Sequence, residues 1–303
     1  MSKLKINLCG IEFANPVFAA SGTFGYGEEF ADFVDYRRLG AIVVKSVSLE
    51  PRVGNTPPRL FETASGLLNS IGLQNVGLEE FLREKLPRLR RYPTRVIVNI
   101  AGQTEPEYVE VAERLSEEDG IDALELNLSC PNVKEGGIAF GQNASIIESV
   151  VGKVRKKTSL PLWVKLSPNV ADNAPLARAA EAAGADAICA INTLRGIAID
   201  VQSRRPFLGN TIGGLSGPAI KPVALYHVWQ IYQAVKIPVI GLGGICTARD
   251  ALEFILAGAS AVQVGSANFR DPDVTMKIVR GLEQYWEKEN IEHIEQLRGA
   301  AWK

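Results

Sequence analysis

Ala123-Leu-Glu-Leu-Asn127 is an apolar run of strand length, and it leads directly into Leu128-Ser-Cys-Pro-Asn132. Pro131 cannot continue a strand ladder and restricts Cys130 to an extended or turn conformation. A thiol, two carboxamides and a hydroxyl are therefore presented where a buried strand ends. A single cysteine at such a place is ordinarily an inert, buried side chain. This one reads differently because the rest of the chain repeats the arrangement, setting a polar residue at the end of one apolar run after another.

Towards the N-terminus, Lys5 to Phe13 alternates around Gly10 and reads as a short hairpin. Pro16 to Ser21 has buried-strand length, Glu28 to Leu39 has helical spacing, and Ala41-Ile-Val-Val-Lys45 is a β-branched strand. Residues 46 to 76 carry several prolines and glycines with little periodicity, as expected of a binding loop or lid. A helix over 78–91, the strand Arg95 to Ile100 and a helix over 106–117 lead back to the Asn127 strand.

Towards the C-terminus, helices over 144–157, 174–183, 219–235, 247–256 and 272–288 alternate with apolar runs. Those runs are Leu162 to Leu166, Ala187 to Asn192, Pro238 to Gly243 and Ala261 to Gly265, with a second irregular excursion over 193–218. Eight short apolar strands alternating with helices in 303 residues predict a single α/β domain, a closed parallel (β/α)8 barrel of the TIM type. An open doubly wound sheet would place a glycine fingerprint near its first strand, and none is found.

The bulk composition excludes several classes. Hydrophobic content of 46% and charged content of 22% are those of an ordinary globular protein, and a net charge of -1 forces no face to be basic, which argues against a nucleic-acid footprint. There is no membrane-length apolar run and no signal-peptide pattern, so a cytoplasmic location is expected. Cys9, Cys130, Cys189 and Cys246 have no cluster spacing, and only His227 and His293 are available. A metal centre, an iron–sulfur cluster or a histidine triad within this chain is therefore not expected.

In barrels of this kind the site sits at the C-terminal ends of the strands. Those ends carry Ser21, Lys45, Asn99, Asn127 with Cys130, Lys165, Asn192 with Thr193, Gly243-Gly244 and Gly265-Ser266. Any one asparagine there is more often a turn former than a ligand, but together these residues fall on one rim. The glycine turns after the last two strands each open a helix, the recurrent phosphate site of this fold. Lysines and carboxamides facing the mouth suit the polar edge of a flavin, where a cation favours the reduced ring. A sugar-phosphate isomerase or synthase on the same barrel would instead need a strand-end acid as base, and none appears among these candidates.

The sequence resembles the class 1 dihydroorotate dehydrogenases along nearly its whole length. The resemblance is carried by Ala20-Ser-Gly-Thr-Phe-Gly-Tyr-Gly27, Lys45-Ser46, Asn69-Ser-Ile-Gly-Leu-Gln-Asn75, Asn127 to Asn132, Lys165, Ile191-Asn-Thr193, Gly213-Gly-Leu-Ser-Gly217 and Gly241-Leu-Gly-Gly244. It implies FMN held by Ser21, Lys45, Ser46, Asn99, Asn127, Lys165, Ile191, Gly217, Gly243, Gly244, Gly265 and Ser266. It implies a substrate pyrimidine contacted by Lys45, by Asn69, Ser70, Ile71, Gly72 and Leu73, and by Asn127, Asn192 and Thr193. Cys130 would be the general base, taking a proton from C5 of dihydroorotate while hydride leaves C6 for the flavin. The membrane-associated class 2 enzymes use serine at that position and carry an N-terminal extension.

Within class 1, Ser21 to Gly27, Gln74 and Asn132 to Gly141 resemble the NAD-linked type. That type implies a homodimer of this chain within a heterotetramer, joined by a partner subunit carrying FAD and a [2Fe–2S] cluster. The fumarate-using homodimers and dihydropyrimidine dehydrogenase are the related alternatives. Lys45 and the Asn69 to Leu73 backbone could serve a substrate carboxylate, which favours orotate over uracil.

Overall fold

The computed structural model describes residues 3–128 and 141–302, so Cys130 lies outside the described residues. Along the chain, β1 (Ile6–Leu8) and β2 (Ile11–Phe13) form an antiparallel hairpin. Next come β3 (Val17–Ala19) and β4 (Ala41–Val43), then an antiparallel pair, β5 (Leu60–Thr63) and β6 (Gly66–Asn69). They are followed by β7 (Arg95–Ile100), β8 (Ala123–Asn127), β9 (Leu162–Leu166) and β10 (Ala187–Ala190). A second excursion holds β11 (Leu194–Ile197), β12 (Ile199–Asp200), β13 (Arg205–Pro206) and β14 (Ile212–Ser216). The last strands are β15 (Val239–Leu242) and β16 (Ala261–Val264).

Eight of these strands, β3, β4, β7, β8, β9, β10, β15 and β16, close into a barrel in chain order, β16 pairing back onto β3. Every pair is parallel. The strands are buried on both faces, because helices such as Glu105–Ser116, Ala144–Arg155 and Ala248–Ala257 cover the outside with their apolar sides. Thr247 caps the last of these through a reciprocal capping box with Asp250.

The lower barrel interior is aromatic. Phe18 stands 4.8 Å from Phe13 and 6.1 Å from Trp163 between ring centroids, and all three side chains are fully buried. Each such side chain contributes about 1.5–3 kcal/mol by its burial. One pleat further along β9 from Trp163, the inward position is Lys165, so the interior changes from apolar to polar within one repeat of the strand. The register sets Asn99 beside Glu125 and Asn127 beside Lys165.

Three segments depart from the sequence reading. Glu28 to Leu39 forms a single 3-10 turn, Glu28–Phe30, rather than a helix. Its apolar spacing serves an aromatic cluster instead: Phe30 stacks on Phe24 at 4.0 Å, Phe24 meets Tyr36 edge-on, and the Tyr36 hydroxyl donates to the Gly27 carbonyl. The helix beginning at Leu78 passes through a π-helical turn, Phe81–Lys85, just before Pro87, a residue without an N–H to give. The third departure concerns the two irregular excursions, which pair with each other in one antiparallel sheet, β11-β14-β6-β5. That sheet stands beside the barrel mouth and has its own small core of Leu68, Ala198 and Leu208.

Candidate active site

A cavity of about 300 Å³ opens at the C-terminal end of the barrel. Strand ends supply Ser21, Lys45, Ser46, Asn127, Lys165, Ile191, Asn192, Thr193, Gly243, Gly244, Gly265 and Ser266 to its wall. The added sheet and the segment after β6 supply Leu60, Leu67, Asn69, Ile71, Gly72, Leu73, Ser216 and Gly217. Two expected residues do not line it. Asn99 is fully buried behind Ser46, whose hydroxyl donates to its Oδ1. Ser70 is also fully buried, held by its N–H to the Arg59 carbonyl at 2.7 Å and by the Asn55 carboxamide.

Polar side chains under the cavity form one connected network. Lys165 Nζ donates to Ser21 Oγ at 2.8 Å and lies 3.4 Å from Glu125 Oε1. Asn99 Nδ2 donates to the same Oε1 at 2.6 Å, and Gln263 Nε2 donates to Glu125 Oε2 at 2.6 Å. Asn127 joins Ser46 at 3.4 Å and accepts from Asn192 Nδ2 at 3.2 Å. Glu125 and Gln263 were not singled out in the sequence, since both sit inside apolar runs. A carboxylate and a carboxamide at alternating, inward strand positions were the available signal.

Lys45 is half-buried on the cavity wall. Burial pulls its ammonium below the ordinary lysine range; the nearby Glu29 carboxylate opposes this and Arg59 adds to it. The segment from Asn69 to Leu73 is held in place from outside, Arg59 bridging to Gln74 Oε1 at 2.7 Å. Gly72 and Leu73 take φ of 75° and 57°, a left-handed bend that turns the chain along the cavity edge. The three cysteines among the described residues, Cys9, Cys189 and Cys246, have thiols pushed up by burial, Cys9 to about 12. None of them is poised as a thiolate.

The glycine turns differ in what they can accommodate. A Cβ on Gly244, at φ +77°, would stand 2.7 Å from Lys221 Cβ and 2.8 Å from Lys221 N. Among the described residues a Cβ on Gly265 would meet only Ala20 Cβ at 3.8 Å and Thr23 Cγ2 at 4.0 Å, both on cavity-lining residues. Gly265 thus leaves open space for a ligand's close approach, rather than relieving a clash within the protein. With two lysines, several carboxamides and serine hydroxyls on the opposite wall, the cavity fits a ligand that has an anionic end and a ring bearing carbonyl groups.

Fold and site together define an eight-stranded α/β barrel with a polar, cation-lined mouth suited to a phosphate-bearing cofactor. The sequence model of the dihydroorotate dehydrogenase family matches residues 3–286, and the chain belongs to that family, whose members are flavin-dependent. It is 57% identical over 298 residues to the "Dihydroorotate dehydrogenase B (NAD(+)), catalytic subunit" of Desulforamulus reducens, covering 98% of each chain. The protein of the same name from Geotalea uraniireducens is 56% identical over 297 residues, covering 98% of this chain and 97% of the relative. Among solved structures, the Eimeria tenella dihydroorotate dehydrogenase in complex with ferulenol superimposes with a TM-score of 0.84 at 25% identity, covering 100% of this chain and 89% of the other.

Proposed function

We propose that this chain is the catalytic subunit of an NAD-linked dihydroorotate dehydrogenase, oxidising (S)-dihydroorotate to orotate in pyrimidine biosynthesis. The observation that carries this reading is the single cavity at the barrel mouth. It gathers seventeen of the residues that the family resemblance implies for cofactor and substrate, in a chain with full-length relatives of that name. The sugar-phosphate isomerase alternative finds no support in the family match.

Gly243, Gly244, Gly265 and Ser266 would hold the phosphate of FMN, and Ser21, Lys45, Ser46, Asn127, Lys165, Ile191 and Gly217 would hold its ring. Asn99 acts from behind, by orienting Ser46. When bound, FMN accepts the hydride that leaves C6 of the substrate. Lys165 presents a positive charge to the ring's polar edge, where negative charge accumulates on reduction. Lys45, the Asn69 to Leu73 segment, Asn127, Asn192 and Thr193 hold the pyrimidine and its carboxylate. Cys130 takes the proton from C5.

The electrons leave towards NAD+ through a partner subunit with FAD and a [2Fe–2S] cluster, in a cytoplasmic heterotetramer built on a homodimer of this chain. No helix among the described residues is long and apolar enough to cross a membrane.

The test is to load the purified chain with FMN under anaerobic conditions and add dihydroorotate. Bleaching of the flavin by dihydroorotate but not by dihydrouracil is expected. Bleaching by dihydrouracil alone, or failure to take up FMN, overturns the reading.

A further inference from the structure

Glu125 is the centre of the network beneath the cavity, yet no part of the reaction just described uses it. Its side chain is fully buried, while Lys165 is 4% exposed and Gln263 fully buried. The nitrogen groups on its two oxygens are all donors, the Lys165 ammonium and Asn99 carboxamide on Oε1 and the Gln263 carboxamide on Oε2, and the Cys189 thiol, kept protonated by burial, also lies in reach. That is the partner set of an ionised carboxylate, which only accepts. Glu125 and its three nitrogen donors stand on four different barrel strands, β8, β7, β9 and β16.

We infer that Glu125 is a positioning residue which fixes Lys165 at the cofactor's polar edge and offsets its charge, lowering the reduction potential of the bound flavin. The inference rests on the proposed function, in that FMN occupies this cavity. A lysine alone at the ring's polar edge would strongly favour the reduced, negatively charged form. A carboxylate 3.4 Å from that ammonium makes the pair nearly neutral and weakens this preference. The cation keeps its hydrogen-bonding role toward Ser21 and the cavity while losing much of its long-range field. A low potential suits a flavin whose electrons must go on towards a nicotinamide.

The structure also supplies a variant that preserves shape. Gln263 Oε1 is buried without a hydrogen-bond partner. In E125Q the Gln263 carboxamide can rotate by half a turn, so that this oxygen accepts from the new amide. The charge disappears and the hydrogen bond remains. Should E125Q not accumulate in folded form, Glu125→Met removes the same charge with an apolar side chain of similar volume; because losing one partner of a buried ion pair is destabilising, this variant is prepared with FMN present throughout, whose binding favours the folded chain. Glu125→Asp keeps the charge as a control.

The experiment is an anaerobic potentiometric titration of the FMN-loaded chain against a reference dye. E125Q or Glu125→Met is expected to raise the potential of bound FMN by at least about 30 mV, the two-electron equivalent of a tenfold shift in preference for the reduced form. Glu125→Asp is expected to stay closer to the unaltered chain than either. An unchanged or lowered potential in a folded, FMN-bound variant without the charge overturns this inference alone. If the unaltered chain takes up no FMN, the inference falls together with the functional reading.

Discussion

Asn192 Nδ2 lies 3.2 Å from Asn127 Oδ1, joining the chain just after β10 to the end of β8 across the intervening strand β9. Asn192 turns back on itself as well, its Oδ1 accepting from the Thr193 N–H at 2.7 Å. The carboxamide is thereby fixed in one orientation, and so is the Asn127 group it donates to. Asn192→Ala is expected to raise KM for dihydroorotate roughly tenfold, the effect of losing about 1.4 kcal/mol of oriented hydrogen bonding. FMN affinity should change little, and steady-state kinetics with a flavin titration separate the two effects.

The two glycine turns call for opposite outcomes. Gly265→Ala should fold normally, because its Cβ meets no atom of the described residues beyond its chain neighbours closer than 3.8 Å. The added methyl occupies ligand space, so FMN affinity should fall by at least about tenfold, or 1.4 kcal/mol. Gly244→Ala should damage the fold itself, through a positive φ and a contact of 2.7 Å with Lys221 Cβ. A loss of about 1–3 kcal/mol is expected. Thermal melting of the two ligand-free variants, followed by FMN titration, distinguishes them.

Lys45 should set an alkaline limit on substrate binding. Its ammonium is present below its pKa in the folded chain and is lost as pH rises through that value. Because burial lowers the pKa, the loss begins at a lower pH than for an exposed lysine near 10.4. Affinity for the dihydroorotate carboxylate should therefore weaken with rising pH on the alkaline side. In Lys45→Met the affinity should be poorer throughout and no longer show that limb, as KM measured against pH would reveal.

Buried His227 should make the fold sensitive to acid. Asn173 Nδ2, already donating to the Ser167 carbonyl at 2.9 Å, lies 3.1 Å from His227 Nδ1, which accepts as part of a neutral ring. Burial lowers the histidine pKa, against a smaller opposing effect of Asp172. The unfolded chain thus binds a proton near pH 6.5 that the folded chain resists. Stability contributed by this site is full above that pH and declines as pH falls below it, by up to about 1.4 kcal/mol per pH unit. Denaturant unfolding between pH 7 and 5 should show this slope, and His227→Gln should flatten it.

How far the site could be read from the chain depended on where each residue stands in its strand. Lys45, Asn127, Lys165 and the paired glycines stand at or just beyond apolar runs, so the barrel's geometry alone brings them to one rim. Glu125 and Gln263 lie within such runs, at positions where the period of two is visible only once the inward face is known. The sheet of β5, β6, β11 and β14 was equally hidden. Its strands are four or five residues long and pair over only three or four, β14 is rich in glycine, and β6 and β14 are separated by more than a hundred residues of chain. Pairing at that distance leaves no local periodicity. In the Glu28 to Leu39 segment the apolar spacing was real, but it belongs to an aromatic cluster rather than to a helix.

Cys130→Ala provides the sharpest test of the chemistry. The cavity wall, as far as the described residues form it, carries no histidine. Its one cysteine there, Cys246, has its thiol pushed up by burial and by Asp250, against the opposing effects of Arg270 and Lys221. The lysines on the wall serve as cations. Glu125 is committed to three donors beneath the cavity, which leaves it poorly suited to take a proton from substrate. With Cys130 as the proposed base, Cys130→Ala should keep its FMN while flavin reduction by dihydroorotate slows by about 10²–10⁴-fold. The unaltered chain should reduce its flavin faster as pH rises through the thiol pKa, and the variant should lack that dependence. Rapid-mixing absorbance measurements across pH would read both, and an unchanged rate in the variant would remove Cys130 from the mechanism.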